Sequence, residues 1–464
     1  MKFYLILTLF ILTAIGCSQP QQADLILTNA SIVSVIDGEV NPNKLIAISS
    51  NTIIAVDDSE NLSDYSSEVI ISLDGKFVMP GLWDNHIHFR GGEELIEANK
   101  NLLPLLLAFG VTTVRDGGGD ITPSLQEWNM LIEQGKLAGP KIYTPGPKLD
   151  GSRPAWDGSI SVTNEDEARS ALDSLESIDA DFVKIYDGNL TKEAFYQIVT
   201  VAEQRGLKST GHMPLSADLM EAVKLGLDGT EHLYYALKET SALADSLADA
   251  GVGYGMITPL MNTYDLELAS NSYKKLGEND FYVTPTLHVG KTLAELLITD
   301  HSEDSLLNYI SPDIAATYQR RLNSAERGGE SYTKARAFWV QSFSNMVKPM
   351  YDSGINILAG SDSGPFNSFT YPGLSIHKEL ELLVNAGLTP QEALITSVIY
   401  GPKFFDLESD YGSVSPDKIA DLLILDKSPL ENISNTQSIN SVVSNGKWYS
   451  RSKLDALMKS IKNE

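Results

Sequence analysis

The chain has 464 residues, 42% hydrophobic and 21% charged, which accommodates a barrel of about 250 residues and an appended domain. A formal net charge of −26 argues against electrostatic attachment to nucleic acid or to an anionic membrane surface. The single cysteine excludes an intramolecular disulfide, so stability must come from a packed core.

Residues 3–16 (FYLILTLFILTAIG) follow Lys2 and form an apolar run too short for a stable membrane span. The run ends at Gly16 and Cys17, and a polar SQPQQ stretch follows. This segment, 1–17, resembles a bacterial lipoprotein signal, which implies lipidation of Cys17 and export to the periplasm or cell surface, with the lipid as the only membrane attachment. Ala14 stands where a larger aliphatic residue is usual. The alternative, a general secretory signal cleaved nearby, also exports the chain.

Residues 23–78 carry short β-branched runs broken by Asn, Asp and Gly (ADLILTNASIVSVIDGEV, KLIAISSNTIIAVDD, EVIISLDGKFVMPG), a hairpin pattern. A second such stretch, 412–450, lies near the C-terminus, and together the two predict a small β-sandwich built from both chain ends. Between them, residues 79–411 alternate apolar strands with helical patterns, as βαβ units do. Eight candidate strands appear: WDNHIHF, VTTVRDGG, KIYTPG, DFVKIY, KSTGHM, GTEHL, YVTPTLH and INILAGSDS. The helical segments between them include KEAFYQIVTVAEQRG and SADLMEAVKLG, the latter with Ser216 as N-cap and Gly226 as stop. The fold class is therefore α/β, a (β/α)8 TIM-like barrel with an appended sandwich. The polar helical stretch between His288 and Asn356 reads as an elaborated seventh βα segment over the active site.

In such a barrel the reactive groups project from the C-terminal strand ends. His86 and His88 end the first strand, and their i, i+2 spacing directs both to one face. Lys184 lies late in the fourth strand, His212 ends the fifth, His232 the sixth and Asp362 the eighth. A lone strand-end histidine is more often structural than a ligand. Here, of seven histidines, four fall at the ends of three strands. Imidazole and carboxylate donors suit zinc and related divalent ions, and an open coordination position would acidify a water.

With these motifs in view, the sequence resembles the amidohydrolase superfamily of binuclear metallohydrolases. PGLWDNHIH, residues 80–88, is similar to the family's first-strand motif, and GSVSPDKIADLLILDKSPLENI with VVSNGKWY is similar to its closing motif. Asp417 stands where the closing motif usually has Gly, and SVIYGPKFF replaces the usual Thr-x-Asn-Pro-Ala segment. The resemblance implies two divalent ions, with His86, His88 and Asp362 on one and His212 and His232 on the other, bridged by a carbamate on Lys184. It implies attack on the substrate carbonyl by a hydroxide shared between the ions, with Asp362 moving its proton to the leaving nitrogen.

Other residues are weighed beside these. Tyr186 and His288 are candidates for catalysis and substrate contact, each balanced by a wall or packing role. Arg115 could pair with a substrate carboxylate, or with Asp116 or Asp120 structurally. Asp84 is a candidate partner of a ligand histidine. Trp156 and Arg153 could form a substrate wall. His377 reads as packing and His301 as solvated. Within the superfamily, VKIY, TGHMP and GTEHLYY most resemble prolidase-like and imidazolonepropionase-related members. A dipeptidase of Xaa-Pro or related type is the expected function. The alternatives are a cyclic amidase, lactonase or organophosphate esterase on the same centre, or a non-catalytic lipid-anchored binding protein on a retired scaffold.

Overall fold

A computed structural model describes residues 19–463; the apolar run and Cys17 lie outside the described residues. All eight expected central strands form: β1 (Leu82–Ile87), β2 (Val111–Asp116), β3 (Lys141–Tyr143), β4 (Val183–Ile185), β5 (Ser209–Gly211), β6 (Gly229–Glu231), β7 (Tyr282–Thr284) and β8 (Asn356–Ile357). Their ladders are parallel, joining β1 to β2 to β3, β4 to β5, and β6 to β7 to β8. Backbone hydrogen bonds join these groups. Asp181 N donates to Thr144 O at 2.9 Å and Asp228 N to Ser209 O at 3.1 Å. Past β8, Asp362 N donates to His86 O at 2.7 Å. The arrangement is a mixed α/β fold consistent with a TIM-like barrel.

Pleating explains how such short strands serve both core and site. Val183 and Ile185 are fully buried in the hydrophobic core while Lys184 between them faces the other way. The helix Lys192–Gln204 starts at Thr191, whose hydroxyl accepts the Ala194 N–H at 3.2 Å. The next helix, Leu219–Lys224, is capped by Asp218 rather than Ser216. Asp218 stands three residues before Glu221 and accepts its N–H at 2.6 Å, a reach that Ser216 lacks.

Both chain ends do meet. Phe77–Pro80 pairs antiparallel with Leu422–Leu425, placing Met79 opposite Leu423. In place of two separate layers, the strands of the two ends form one hydrogen-bonded sheet of eight strands, including Leu25–Val33, Val40–Ser49 and Ile439–Ser444. Apolar residues cover both faces: Ile26, Leu45 and Ala47 pack on one, and Leu27, Ile46 and Ile48 on the other. Asp417, where the family pattern favours Gly, holds φ at 70°, a left-handed conformation that Asp tolerates better than most residues.

At the seam between sheet and barrel, burial pushes the Asp421 carboxyl up to about 7, although Asn445 N donates to it at 2.6 Å. The unfolded chain releases this proton near pH 3.9, so the folded state alone holds it between there and about 7. Stability contributed by this group is therefore present below that window and is lost as pH rises through it. Asp421→Asn keeps the acceptor and removes the titration. Its thermal midpoint is expected to gain a few degrees on the wild type between about pH 4 and 7. A constant difference across that range in scanning calorimetry would refute the assignment.

Candidate metal centre

The six expected ligands converge at the C-terminal strand ends. His86 and His88 leave β1 with ring centroids 5.0 Å apart, and His212 and His232 are likewise 5.0 Å apart. His86 and His232 close the gap between the pairs at 5.6 Å. Gly117 makes room for this packing, because a Cβ there would stand 2.3 Å from His88 Cε1. Asp362 Oδ1 lies 3.0 Å from His88 Nε2 and 3.4 Å from His86 Nε2. Donor atoms of His86, His232 and Asp362 all fall within 4.8 Å of one another, close enough to share an ion.

The unused imidazole nitrogens are held from behind. His86 Nδ1 lies 2.6 Å from Glu231 Oε2, His212 Nδ1 3.1 Å from Asp187 Oδ1, and His232 Nδ1 2.7 Å from Thr286 Oγ1. The carboxylates of Glu231 and Asp187 accept from Nδ1–H of His86 and His212, and Thr286 Oγ1 stands where it can accept from His232 in the same way, which turns each Nε2 toward the centre of the cluster. Tyr254 donates to the other oxygen of Asp187 at 2.6 Å. Asp84 acts on the backbone instead: it accepts the His86 N–H at 3.3 Å and the Ser361 N–H at 2.9 Å.

Electrostatics suits the same purpose. Burial, with His212 nearby, pushes His232 down to about 3, and burial beside Arg90 pushes His88 well below its usual range. Both rings are then neutral, as metal ligands must be. Burial pushes the Asp362 carboxyl up, but His86 and His88 donate to it and hold it well below the usual carboxylate range. Burial lowers Lys184 despite Glu231, whose Oε1 lies 3.4 Å away as an ion partner, and its Nζ makes no hydrogen bond among the described residues. A buried amine with a lowered pKa and no hydrogen bond is a good nucleophile toward carbon dioxide. The donor set therefore fits divalent ions.

The ligands line a cavity of about 50 Å³, together with Arg90, Lys148, Trp156, Tyr186, Arg321 and Asn367. Tyr186, His212, His232, Arg321 and Asp362 also line a second cavity of about 440 Å³. Its far wall includes Tyr234, Tyr254, Trp339 and Phe343. Trp339 and Phe343 belong to the long helix Gln319–Asp352, so the segment after β7 does cover the site. Tyr186 stacks on His212 at 4.5 Å, and burial raises its pKa, keeping the phenol protonated and able to donate.

Several expected residues stand elsewhere. Arg115 pairs with neither Asp116 nor Asp120 and lines neither cavity. It donates to Glu231 at 3.0 Å, Asn85 O at 2.7 Å and Thr284 at 3.0 Å, because a cation buried inside the barrel must find its anion there. His288 is not at a strand end. β7 stops at Thr284, and His288 lies in the first turn of the helix Leu287–Glu295, where its N–H donates to Glu379 at 2.7 Å. Leu287 and Val289 line the larger cavity, and His288 does not. Arg153 is exposed and bonded to Asn189. His377 packs as read, between Thr436 and Phe109 O. His301, read as solvated, instead stacks on Phe369 at 4.0 Å and pairs with Asp304 at 2.8 Å.

Glu231, Asp187, Thr286, Arg90, Lys148 and Arg321 were not anticipated. Two of them carried a signal. Glu231 immediately precedes a ligand, and Arg90 continues the i, i+2 series of His86 and His88.

The family model described as Amidohydrolase family matches residues 77–449. An adenine deaminase of Bacillus velezensis is 25% identical over 320 residues, 66% of this chain and 51% of that protein. The chain thus spans about half the length of the curated relative it matches. Among solved structures, a bottromycin amidohydrolase superposes with a TM-score of 0.71 at 18% identity, covering 95% of this chain and 91% of that one. A Xaa-Pro dipeptidase with bound methionine gives 0.66 at 20%, covering 92% and 99%. The A. niger ochratoxinase gives 0.64 at 18%, covering 93% and 96%. At these identities the structures speak for the fold alone. The family match spans most of the chain and contains every proposed ligand, so the chain belongs to the amidohydrolase family.

Proposed function

We propose that the chain is a metal-dependent hydrolase of carbon–nitrogen bonds that holds two divalent ions. Zinc is the ion its nitrogen and oxygen donors suit. The observation that carries this reading is the set of imidazoles anchored at Nδ1 by Glu231, Asp187 and Thr286 beside a buried carboxylate and an unbonded lysine. His86, His88 and Asp362 would hold one ion and His212 and His232 the other, with His232 also within 4.8 Å of the His86 and Asp362 donors and Lys184 supplying oxygen donors as its carbamate. When bound, the ions polarise the carbonyl and acidify a water. Asp362 accepts the proton of the attacking water and delivers it to the nitrogen as the carbon–nitrogen bond breaks. Tyr186 donates a hydrogen bond to the carbonyl oxygen as charge develops there.

Lys184→Ala is expected to lose one of the two ions and to lower turnover by at least about 100-fold. Metal analysis alongside kinetics checks both; full metal content with full activity would remove the bridging role.

Dipeptides of Xaa-Pro or related type are the proposed substrates, supported by the resemblance of VKIY, TGHMP and GTEHLYY to prolidase-like members. Amino-acid release from a dipeptide library, with zinc and bicarbonate supplied, tests this. Turnover on a few dipeptides, absent in Asp362→Asn, supports it. No release moves cyclic amides and lactones forward, and ammonia release from adenine would favour the activity for which the Bacillus relative is named. We also infer export with lipid on Cys17, from the apolar run before it; the mass of the mature N-terminus checks that.

A further inference from the structure

We propose that Arg90, Lys148 and Arg321 form an anion subsite beside the metal ligands that takes a carboxylate of the substrate. The proposal rests on the hydrolase reading only in calling that anion a substrate group. In a chain of net charge −26, cations gather around one ring. The Arg90 guanidinium lies 4.0 Å, Arg320 4.9 Å and Lys148 Nζ 5.2 Å from the Trp156 ring centroid. Arg90, Lys148 and Arg321 all line the small cavity that contains the ligands.

Two of these basic side chains are deeply buried and make no ion pair within 4 Å among the described residues. Arg90 is 5% exposed and Lys148 2%. Among the described residues neither forms an ion pair, Lys148 Nζ makes no hydrogen bond, and Arg90 donates only through Nε, to Pro365 O at 3.1 Å. Burying an unmatched charge is strongly unfavourable. Arg115, as deeply buried, shows the ordinary solution in this same fold: it meets Glu231 at 3.0 Å. The acids near the cluster are committed elsewhere. Asp116 accepts from Thr144 at 3.0 Å and from Phe89 N at 3.2 Å, Asp120 accepts Gly91 N at 3.0 Å, and Asp362 faces the histidines. Divalent ions on the ligands would add to the positive charge.

The subsite adjoins the reacting atoms. Arg321 donates to Asn367 Oδ1 at 3.3 Å, and Asn367 donates to Asp362 Oδ1 at 2.7 Å. A carboxylate is planar and matches the guanidinium fork in a bidentate way, and Trp156 supports the Arg90 plane from behind. Arg321 also lines the adjoining cavity of about 440 Å³, from which a substrate carboxylate can reach it beside the metal ligands.

Calorimetric titration of the zinc-loaded protein with 3-phenylpropionate, 3-phenylpropionamide and phenyl phosphate tests the proposal. The carboxylate is expected to bind at least about tenfold tighter than the amide, and to keep that preference after chelation of the metal. Arg321→Met and Lys148→Met are each expected to cut the preference to about threefold or less, with Arg321→Lys retaining part of it. Arg90→Met is the riskier variant because of its burial, and the other two do not depend on it. A preference unchanged in both Met variants, or one that vanishes on chelation, would overturn the subsite. Tighter binding of phenyl phosphate than of the carboxylate would overturn the ligand class. If no amide is hydrolysed yet the preference holds, the subsite stands and the hydrolase reading falls. If amides are hydrolysed and no preference exists, the reverse follows.

Discussion

Asp362→Asn is expected to lower turnover by about 1,000-fold or more while the thermal midpoint moves by only a few degrees. The argument begins with the backbone. Asp362 has φ of 52°, a left-handed conformation in which Ala would be strained, whereas Asn adopts it with little penalty. The backbone bonds to His86 O and from Asn367 are unaffected by the change. What disappears is the negative charge 3.0 Å from His88 Nε2 and the ability to take a proton and return it. Kinetics normalised to measured metal content separate loss of an acid–base group from loss of a ligand. Turnover within about tenfold of wild type would exclude Asp362 as the proton carrier.

Glu231→Gln is expected to produce the largest stability loss, about 3–5 kcal/mol, by a different route. Glu231 is 1% exposed and is the common anion for Arg115 at 3.0 Å, Lys184 at 3.4 Å and His86 at 2.6 Å. Burial pushes its carboxyl up, but Lys184, Arg115 and His86 hold it well below the usual range, so it is charged at every working pH. The amide is nearly isosteric but leaves Arg115 as an uncompensated buried cation. It also weakens the anchor on His86 Nδ1, for which about a 10–100-fold fall in metal affinity is expected. Denaturant unfolding and metal titration read the two effects separately. Adding Arg115→Met to Glu231→Gln should recover part of the stability and none of the metal affinity, because it removes the stranded charge without rebuilding the anchor. A Glu231→Gln protein as stable as wild type would show that the cluster is balanced in some other way.

The failed expectations share a cause with these predictions. Arg115 was read as facing substrate because it ends β2, yet the direction of its side chain depends on which strand lies across the barrel and what that strand carries. Glu231 supplies the anion, and it comes from β6, 116 residues away. His288 was read as a strand end because YVTPTLH continues the apolar run, but Thr286 takes φ of 51° and turns the chain into a helix first.

Sequence by itself located the eight parallel strands, the joining of both chain ends, and the strand-end positions of His86, His88, Lys184, His212, His232 and Asp362, which the structure brings together in one cavity. These are legible because strand pleating and strand-end position are local properties, repeated with period two and punctuated by Gly and Asp. Only the tertiary structure decided how the ligands are held and what surrounds them. Glu231 and His232 are neighbours that a regular strand would send to opposite faces. The left-handed turn at His232, with φ of 65°, brings both into one site. Arg90, Lys148 and Arg321 come from three distant segments, and nothing local to any of them announces the other two. Their meeting around one cavity follows from the closeness of strand-end loops in space, a long-range property that no window of sequence contains.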